Sequence, residues 1–300
     1  MTHDPSVSSS DLQQRARTFA SWPATRLAAV AASALLLAAS ASAGDMADVK
    51  AKGKLVVVTY PLLEDAFMQV DMDAMRKAGV ALKDLHDPAA FTGIDLELMK
   101  GFAEKLGVKL EIRPNLTGYG DLIPALERRE GDMVASSFAI TPARTASATF
   151  STPYILQWDV AAVRPDSKIR SIADLKGKKV AVIQGSSHHE RLKALNLNPQ
   201  IQLTKFVLEG YTAVSEGQAD YTIMESRANV GEVISPQYRD LVVAVRVNET
   251  GYGVAMRKGS DLKEPFDAYL EGLRKSGDLE KILRKYGQGS PAMPLPPIGH

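Results

Sequence analysis

The chain has 300 residues, of which 45% are hydrophobic and 24% are charged, and its formal net charge at neutral pH is +1. This composition supports one or two folded cores and excludes a disordered chain. The balanced charge gives no basic surface of the kind that binds nucleic acid, so no nucleic-acid partner is predicted. The sequence has no cysteine, which excludes disulfides and a cysteine-linked lipid anchor.

The first 43 residues differ in composition from the rest and are typical of an export signal. Three arginines precede an uncharged run, Leu27–Ala39, and the small residues Ala41–Ala43 follow it. A run of about 13 residues is shorter than the ~18 that a membrane-spanning helix needs. The alternative to a cleaved signal is an anchor that stays uncleaved. We therefore predict a signal peptide over 1–43, cleaved after Ala43, and a periplasmic location for the mature chain.

From Lys54 onwards, short apolar strands alternate with amphipathic helices. Strands are predicted over 54–59, 108–112, 132–136, 158–164, 180–183, 201–207, 220–224, 241–247 and 253–256. Helices are predicted over 67–78, 96–106, 122–129, 172–178, 188–195, 211–216, 226–233, 262–275 and 279–286. This alternation is typical of βαβ units and favours an α/β fold with mainly parallel sheets flanked by helices.

The alternation falls into two blocks without a long linker, and the last elements can return to the first block. We therefore predict two lobes connected by two crossings, with a cleft between them. The predicted bounds are a first lobe over 44–158 and 248–288, a second lobe over 159–247, and a flexible tail over 289–300.

The stretch Ala135–Arg144 combines small polar residues with a helix start. Thr141 suits the N-cap and Pro142 the first helical position. Ser137 offers a hydroxyl, and Arg144 offers a planar fork of donors one turn into the helix. Such an arrangement suits a carboxylate. The alternative is that Arg144 is a solvated surface residue and the serines only cap the turn.

At this point the sequence resembles the bacterial extracellular solute-binding proteins of family 3, the periplasmic receptors of ATP-driven importers for polar amino acids. The resemblance covers about 54–287. It implies a type II periplasmic-binding-protein fold, with two α/β lobes on a two-strand hinge that close on a ligand. The motifs that carry it are Gly93–Leu98, Leu122–Leu126, Gly131–Asp132, Ile140–Arg144, Phe150–Tyr154, Asp174–Val180, Gln184–Ser187 and Gly217–Asp220.

The resemblance implies a set of carboxylate contacts. Arg144 matches the arginine that grips the ligand's α-carboxylate, with Ser137 and the backbone of Ala139 beside it. The family often has a second hydroxyl where Ala139 stands, so one side-chain contact is missing. The matching loop of the second lobe comprises Gly185, Ser186, Ser187 and His188.

The resemblance also implies contacts for the rest of the ligand. Glu225 stands where the family usually keeps an aspartate for the α-ammonium, Tyr119 matches a stacking position, and Tyr60 replaces a frequent acidic residue. Glu225 is one methylene longer than aspartate, so either the cation sits closer or the ligand is smaller. Tyr60 argues against a strongly cationic side chain. A long insert over 62–90 can roof the pocket.

Several alternatives stay open. Glu225 is either a ligand contact, an exposed residue, or a partner of Arg227. On the same scaffold, enzymes resembling cyclohexadienyl dehydratase use a cleft carboxylate as general acid, and Glu225 could serve so. A ligand sensor for a membrane receptor is a further alternative. The adjacent His188 and His189 point in different directions along a helix, which argues against a metal site.

The sequence thus predicts a non-enzymatic, monomeric periplasmic receptor without cofactor or metal. It is expected to capture a small carboxylate-bearing solute, an amino acid, and to present it to the membrane permease of an ATP-driven importer.

Overall fold

Two β-sheets, each flanked by helices, organise the chain. The computed structural model describes residues 44–61, 66–225 and 241–288. The predicted signal peptide, the predicted tail and the helix predicted over 226–233 lie outside these residues.

The elements follow the predicted alternation closely. The strands are β1 (Lys54–Thr59), β2 (Gln69–Val70), β3 (Phe91–Thr92), β4 (Lys109–Pro114), β5 (Met133–Val134), β6 (Ala148–Phe150), β7 (Ile155–Val163), β8 (Lys179–Ile183), β9 (Gln200–Thr204), β10 (Tyr221–Glu225), β11 (Val242–Tyr252) and β12 (Ala255–Arg257). The α-helices are α1 (Asp45–Lys52), α2 (Met72–Ala78), α3 (Ile94–Leu106), α4 (Leu122–Glu127), α5 (Pro142–Ser147), α6 (Ser187–Ala194), α7 (Val207–Ser215), α8 (Lys263–Ser276) and α9 (Asp278–Lys285). Short 3₁₀ turns cover 82–84, 88–90, 119–121 and 173–175.

Each main sheet combines parallel and antiparallel pairs. The first has the order β4-β1-β5-β12-β6, in which β1 runs parallel to β4 and β5, and β12 runs antiparallel to β5 and β6. The second has the order β11-β7-β10-β8-β9, in which β8 is parallel to β9 and β10, and β7 is antiparallel to β10 and β11. The predicted parallel pairing therefore holds for the βαβ units, while the antiparallel pairs involve the strands at the crossings. We call the first sheet with its helices the first lobe, and the second sheet with its helices the second lobe.

The two crossing segments, 151–154 and 253–254, lie side by side. The N–H of Ser151 donates to the carbonyl of Val254, and the N–H of Tyr154 donates to the carbonyl of Tyr252, both at 2.9 Å. Strand β11 continues to Tyr252, beyond the predicted end at 247, because it pairs with β7 along its length. The crossings are thus short and tied to each other by main-chain hydrogen bonds.

The described part of the insert, residues 66–90, contains a short strand, a helix and two 3₁₀ turns. Its helix begins at Met72 rather than at 67 because Asp71 caps it, its carboxylate accepting the N–H groups of Asp73 and Ala74 at 2.9 Å. The preceding β2 pairs with β3 in a two-stranded ribbon.

The core of the first lobe is completed by the last part of the chain. Phe266 on α8 is fully buried and meets Phe102 on α3 edge to face, with the ring centroids 5.0 Å apart. Leu279 and Leu283 on α9 belong to the same apolar cluster. The helices within the described residues are all too short or too polar to cross a membrane.

The burial of Phe266 yields a stability prediction. We expect Phe266→Ala to lower the free energy of unfolding by about 3–5 kcal/mol, because it removes a buried aromatic ring and leaves a cavity. The matched control is Phe206→Ala, because Phe206 is 52% exposed. This control should change the free energy of unfolding by about 0.5 kcal/mol or less. Urea denaturation of the two variants measures the difference, and equal losses would contradict this account of the core.

Candidate functional site

The structure brings the predicted site residues to the junction between the two lobes. The junction lies beside the crossing segments, where the loop after β5, the start of α5 and the loop after β8 meet. Many of the predicted residues have protein partners here, and these partners decide what each group can offer to a ligand.

Arg144 is buried at this junction, with 6% of the residue exposed. Its guanidinium lies over the ring of Phe138, with the central carbon 4.0 Å from the ring centroid. Nη1 donates to the carbonyl of Ala139 at 3.1 Å, and Nη2 donates to the carbonyl of Gly185 in the second lobe at 3.3 Å. The alternative that Arg144 is a solvated surface residue is therefore wrong.

The environment of Arg144 includes a carboxylate from the second lobe. Oε1 of Glu190 lies 3.5 Å from Nε of Arg144. Burial lowers the pKa of the Arg144 guanidinium, and the negative charge of Glu190 opposes that shift. The group stays charged at neutral pH because the pKa of a guanidinium starts far above that range.

Local caps on both sides of the junction fix the helix starts. Thr141 Oγ1 accepts the N–H of Arg144 at 3.2 Å, and Pro142 is the first residue of α5, which confirms the predicted cap. Ser186 caps α6 by accepting the N–H of His189 at 3.2 Å, and its hydroxyl donates to the carbonyl of Ile183 at 2.8 Å. The hydroxyl of Ser186, expected at the ligand, is thus engaged within its own loop.

Ser137 adopts a backbone conformation that non-glycine residues rarely take, with φ of 45°. Its N–H donates to Oδ2 of Asp95 at 2.7 Å, and its hydroxyl lies 3.5 Å from the hydroxyl of Tyr119. Asp95 is fully buried at the start of α3, where burial raises the pKa of its carboxyl to about 6 although bonds from Tyr154 and Ser137 oppose the shift. Asp95 therefore positions the loop that carries Ser137.

Two tyrosines of the first lobe form one wall. The rings of Tyr60 and Tyr119 are tilted against each other, with centroids 5.0 Å apart. The hydroxyl of Tyr60 donates across the junction to the carbonyl of Lys205 in the second lobe at 3.1 Å. The main chain of Tyr60 is held by the hydroxyl of Ser136, at 3.0 and 3.1 Å.

The main chains of the two lobes approach each other closely at a pair of glycines. Gly185 has φ of 72°, and a Cβ built on it would lie 3.0 Å from the backbone nitrogen of Gly120. A side chain at position 185 would therefore be strained by the φ value and crowded by Gly120. Ser187, which was also predicted to contact the ligand, lies two residues after Gly185 and is buried, with 7% of the residue exposed.

Glu225 lies at the end of β10, and 34% of its side chain is exposed. Oε1 accepts the hydroxyl of Tyr252 at 2.6 Å and lies 3.6 Å from Nε2 of His188. The proposed pairing with Arg227 falls on a residue outside those that the structure describes. Burial raises the pKa of the Tyr252 hydroxyl well above its ordinary value, and the charge of Glu225 adds to the shift.

A buried ion network lies behind Glu225. Asp159 is fully buried on β7, with Oδ1 at 3.3 Å from His188 Nε2 and Oδ2 at 3.0 Å from Arg191 Nε. Thr250 Oγ1 donates to Oδ2 of Asp159 at 3.0 Å. The fully buried Asp159 is thus enclosed by two basic groups and a hydroxyl donor.

The charges in this network stabilise one another. Burial would raise the pKa of Asp159, but His188 and Arg191 outweigh it and hold that pKa below its usual value. Burial would likewise lower the pKa of His188, but Asp159 and Glu225 outweigh it and raise that pKa. His188 is therefore a member of this network, and its protonated form is favoured.

His189 faces a different partner from His188, accepting the N–H of Gly185 on its Nδ1 at 3.3 Å. Within residues 44–61, 66–225 and 241–288, no group of three or more His, Cys, Asp or Glu side chains is placed to hold a metal ion.

Four further residues of this site were missed from the sequence: Asp95, Asp159, Glu190 and Tyr252. One signal was available, since Asp159 is a lone carboxylate within the otherwise uncharged strand β7. A charge in a buried strand needs a partner, and so predicts a polar network.

The sequence matches a known protein family and several of its characterised members. The family model of bacterial extracellular solute-binding proteins, family 3, matches residues 83–289. The arginine-binding extracellular protein ArtP of Bacillus subtilis is 30% identical over 205 residues, which are 66% of this chain and 78% of that protein. Membrane-bound lytic murein transglycosylase F of Saccharophagus degradans is 29% identical over 208 residues, which are 66% of this chain. This chain spans 41% of that transglycosylase.

Solved structures share the architecture. The ancestral amino acid-binding protein AncCDT-1, a precursor of cyclohexadienyl dehydratase, superposes with a TM-score of 0.67 at 27% identity, covering 81% of this chain and 99% of that chain. The substrate-binding protein AbpA from Streptococcus pneumoniae, solved bound to L-arginine, gives a TM-score of 0.66 at 28% identity, covering 80% and 97%. These likenesses confirm the resemblance and the two-lobed α/β fold.

Asp95 yields a pH-dependent prediction. Burial raises the pKa of the Asp95 carboxyl to about 6 in the folded protein, above the ordinary aspartate value of 3.8. Ionisation of Asp95 therefore opposes folding above pH 6, and this cost disappears as the pH falls towards 4. We expect Asp95→Asn, which resembles the neutral acid, to be more stable than the natural chain at pH 7.5 by up to about 3 kcal/mol. The advantage should shrink to near zero by pH 4.

Urea denaturation at pH 4, 6 and 7.5 measures this difference. Asp73→Asn, on the exposed surface of α2, is the matched control for loss of one negative charge. A stability difference for Asp95→Asn that does not vary with pH would contradict the assigned ionisation.

Proposed function

Since the chain belongs to the bacterial extracellular solute-binding proteins of family 3, we propose that it captures a carboxylate-bearing solute, an amino acid, between its lobes. We further propose that it works in the periplasm and delivers the solute to the permease of an ATP-driven importer. The observation that carries this proposal is the buried guanidinium of Arg144 at the junction of the two lobes.

The geometry of Arg144 supports a carboxylate ligand. Nη1 and Nη2 each carry two N–H groups, and one hydrogen bond from each goes to the carbonyls of Ala139 and Gly185. The second N–H of each nitrogen can meet a carboxylate that approaches from the end of the guanidinium. Such charge-assisted bonds are worth about 1.5–3 kcal/mol each in a dry site.

The geometry of Glu225 supports an ammonium group on the same ligand. Tyr252 connects the two charged groups, because its hydroxyl donates to Glu225 and its main chain bridges to Ala139, the residue that accepts from Arg144. We propose that a zwitterion spans from Arg144 in the first lobe to Glu225 in the second. By binding better when both lobes reach it, the solute would favour the closed arrangement.

The wall formed by Tyr60 and Tyr119 supports an uncharged solute side chain. Tyr60 supplies an aromatic ring where an acidic residue would attract a second cation. ArtP, named as an arginine-binding protein, and AbpA, solved bound to L-arginine, provide the contrasting case.

A thermal-shift screen of amino acids, opines and small organic acids, with L-arginine included, tests the solute class. A solute at ~100 times its dissociation constant adds roughly 2.7 kcal/mol of stability.

A second candidate is a dehydratase-like enzyme, favoured by the likeness to AncCDT-1, a precursor of cyclohexadienyl dehydratase. It would need Glu225 as a proton donor, whereas Tyr252 donates to that side chain. Incubation of the protein with prephenate and with arogenate decides between the candidates, since turnover of either would contradict a purely binding role.

The role of Arg144 is tested by substitution. We expect Arg144→Ala to weaken binding of the solute identified by the screen by at least about 10- to 150-fold, which is the equivalent of one of the two charge-assisted bonds that it would lose. Isothermal titration calorimetry measures the affinity, and circular dichroism checks the fold. Arg76→Ala, at an exposed arginine of α2, is the control. Unchanged affinity in Arg144→Ala would contradict the assignment.

The role of Glu225 is tested by comparing two ligands. Glu225→Gln keeps an oxygen for the Tyr252 hydroxyl but removes the negative charge. We expect it to weaken binding of an amino acid by about tenfold or more, while the 2-hydroxy acid of the same carbon skeleton, which lacks the ammonium group, loses little. Equal losses for both ligands in calorimetry would show that Glu225 does not recognise the ammonium.

A further inference from the structure

Glu190 joins the two lobes through two contacts with α5. It lies on α6 of the second lobe, and its Oε2 accepts the hydroxyl of Thr141 at 3.2 Å. Its Oε1 lies 3.5 Å from Nε of Arg144. Thr141 caps the helix that carries Arg144, so both contacts of Glu190 are with the start of one helix in the first lobe.

The guanidinium of Arg144 already bridges the lobes through protein atoms. Nε faces the carboxylate of Glu190, and Nη2 donates to the carbonyl of Gly185, both in the second lobe. Arg144 is 6% exposed, so its charge is far from bulk water and gains from a nearby anion. The side chain of Glu190 is 34% exposed, which moderates the strength of the pair.

We propose that Glu190 is an interlobe latch, a carboxylate that holds the second lobe against Arg144 and Thr141 and so favours the closed arrangement before a solute contributes. The other junction contacts, from Tyr60 to Lys205 and between Gly120 and Gly185, end on main-chain atoms of the second lobe. The side chain of Glu190 can therefore be changed without removing them.

The latch also restricts how a solute carboxylate meets Arg144. With Glu190 beside Nε and the Gly185 carbonyl on Nη2, a second carboxylate is directed to the end formed by Nη1 and Nη2. An anion placed on the Nε side would meet the like charge of Glu190. This consequence rests on the proposed solute-binding function, whereas the latch itself does not.

The test measures the separation of the lobes in the protein without added solute. The chain has no cysteine, so Glu104→Cys on α3 and Lys176→Cys after the second lobe's 3₁₀ turn give two unique sites for spin labels. Pulsed electron paramagnetic resonance then gives the distance distribution between the lobes. In the labelled parent at low salt we expect a short-distance population, which represents the closed arrangement.

Glu190→Gln removes the charge and keeps an oxygen for Thr141. We expect the ratio of closed to open protein to fall by about two- to fivefold, as for a partly exposed ion pair. Raising the salt concentration should lower the ratio in the parent but change it little in Glu190→Gln, because salt screens the ion pair. The matched control is Glu216→Gln, an exposed glutamate of the second lobe that pairs with Gln218, and it should behave like the parent.

Three results would overturn the latch: a parent protein that is open without solute, a Glu190→Gln distribution equal to that of the parent, or an equal change in Glu216→Gln. If Glu190→Gln does not fold, Glu190→Asp, which retracts the charge by one methylene, should show a smaller shift in the same direction, and no shift would count against the proposal. Because no solute is added, failure of the latch is distinguishable from failure of solute binding.

Discussion

The need to compensate one buried guanidinium organises the junction between the lobes. Arg144 is almost completely buried. A buried charge is stable only if hydrogen-bond acceptors and an opposite charge surround it. The first lobe supplies the carbonyl of Ala139 and the ring of Phe138, and the second supplies the carbonyl of Gly185 and the carboxylate of Glu190. These protein partners of the guanidinium are therefore all in place only when the two lobes are together.

The second lobe also contains a buried charge that needs compensation, and this charge is negative. Asp159 is an anion without solvent contact, and it is compensated by His188 and Arg191 from the first turns of α6. Glu225 shares His188 with Asp159, and so lies at the exposed edge of a network whose interior is already balanced. Its remaining exposure makes Glu225 the member of this network that is available to a solute, which agrees with its proposed role.

The sequence predicted the features that local rules determine. The alternation of strands and helices and the cap of α5 follow from residues that are neighbours in the chain. Several bounds differed, and two of them have clear causes. Asp71 caps α2, which begins later than predicted, and pairing with β7 extends β11 to Tyr252. In the site, the positions of the motifs predicted Arg144 and Glu225 as ligand contacts, and both residues lie at the junction. The partners of these residues, Glu190 and Tyr252, come from separate elements, and only the tertiary arrangement brings them together.

The close approach of Gly120 and Gly185 depends on the missing side chain at position 185. A Cβ on Gly185 would lie 3.0 Å from the backbone nitrogen of Gly120, which is tighter than an ordinary contact. The positive φ of Gly185 would also strain any other residue there. The separation of the two lobes at this point is thus encoded by the absence of a single methyl group, and even an alanine at position 185 would force the neighbouring main chain to shift.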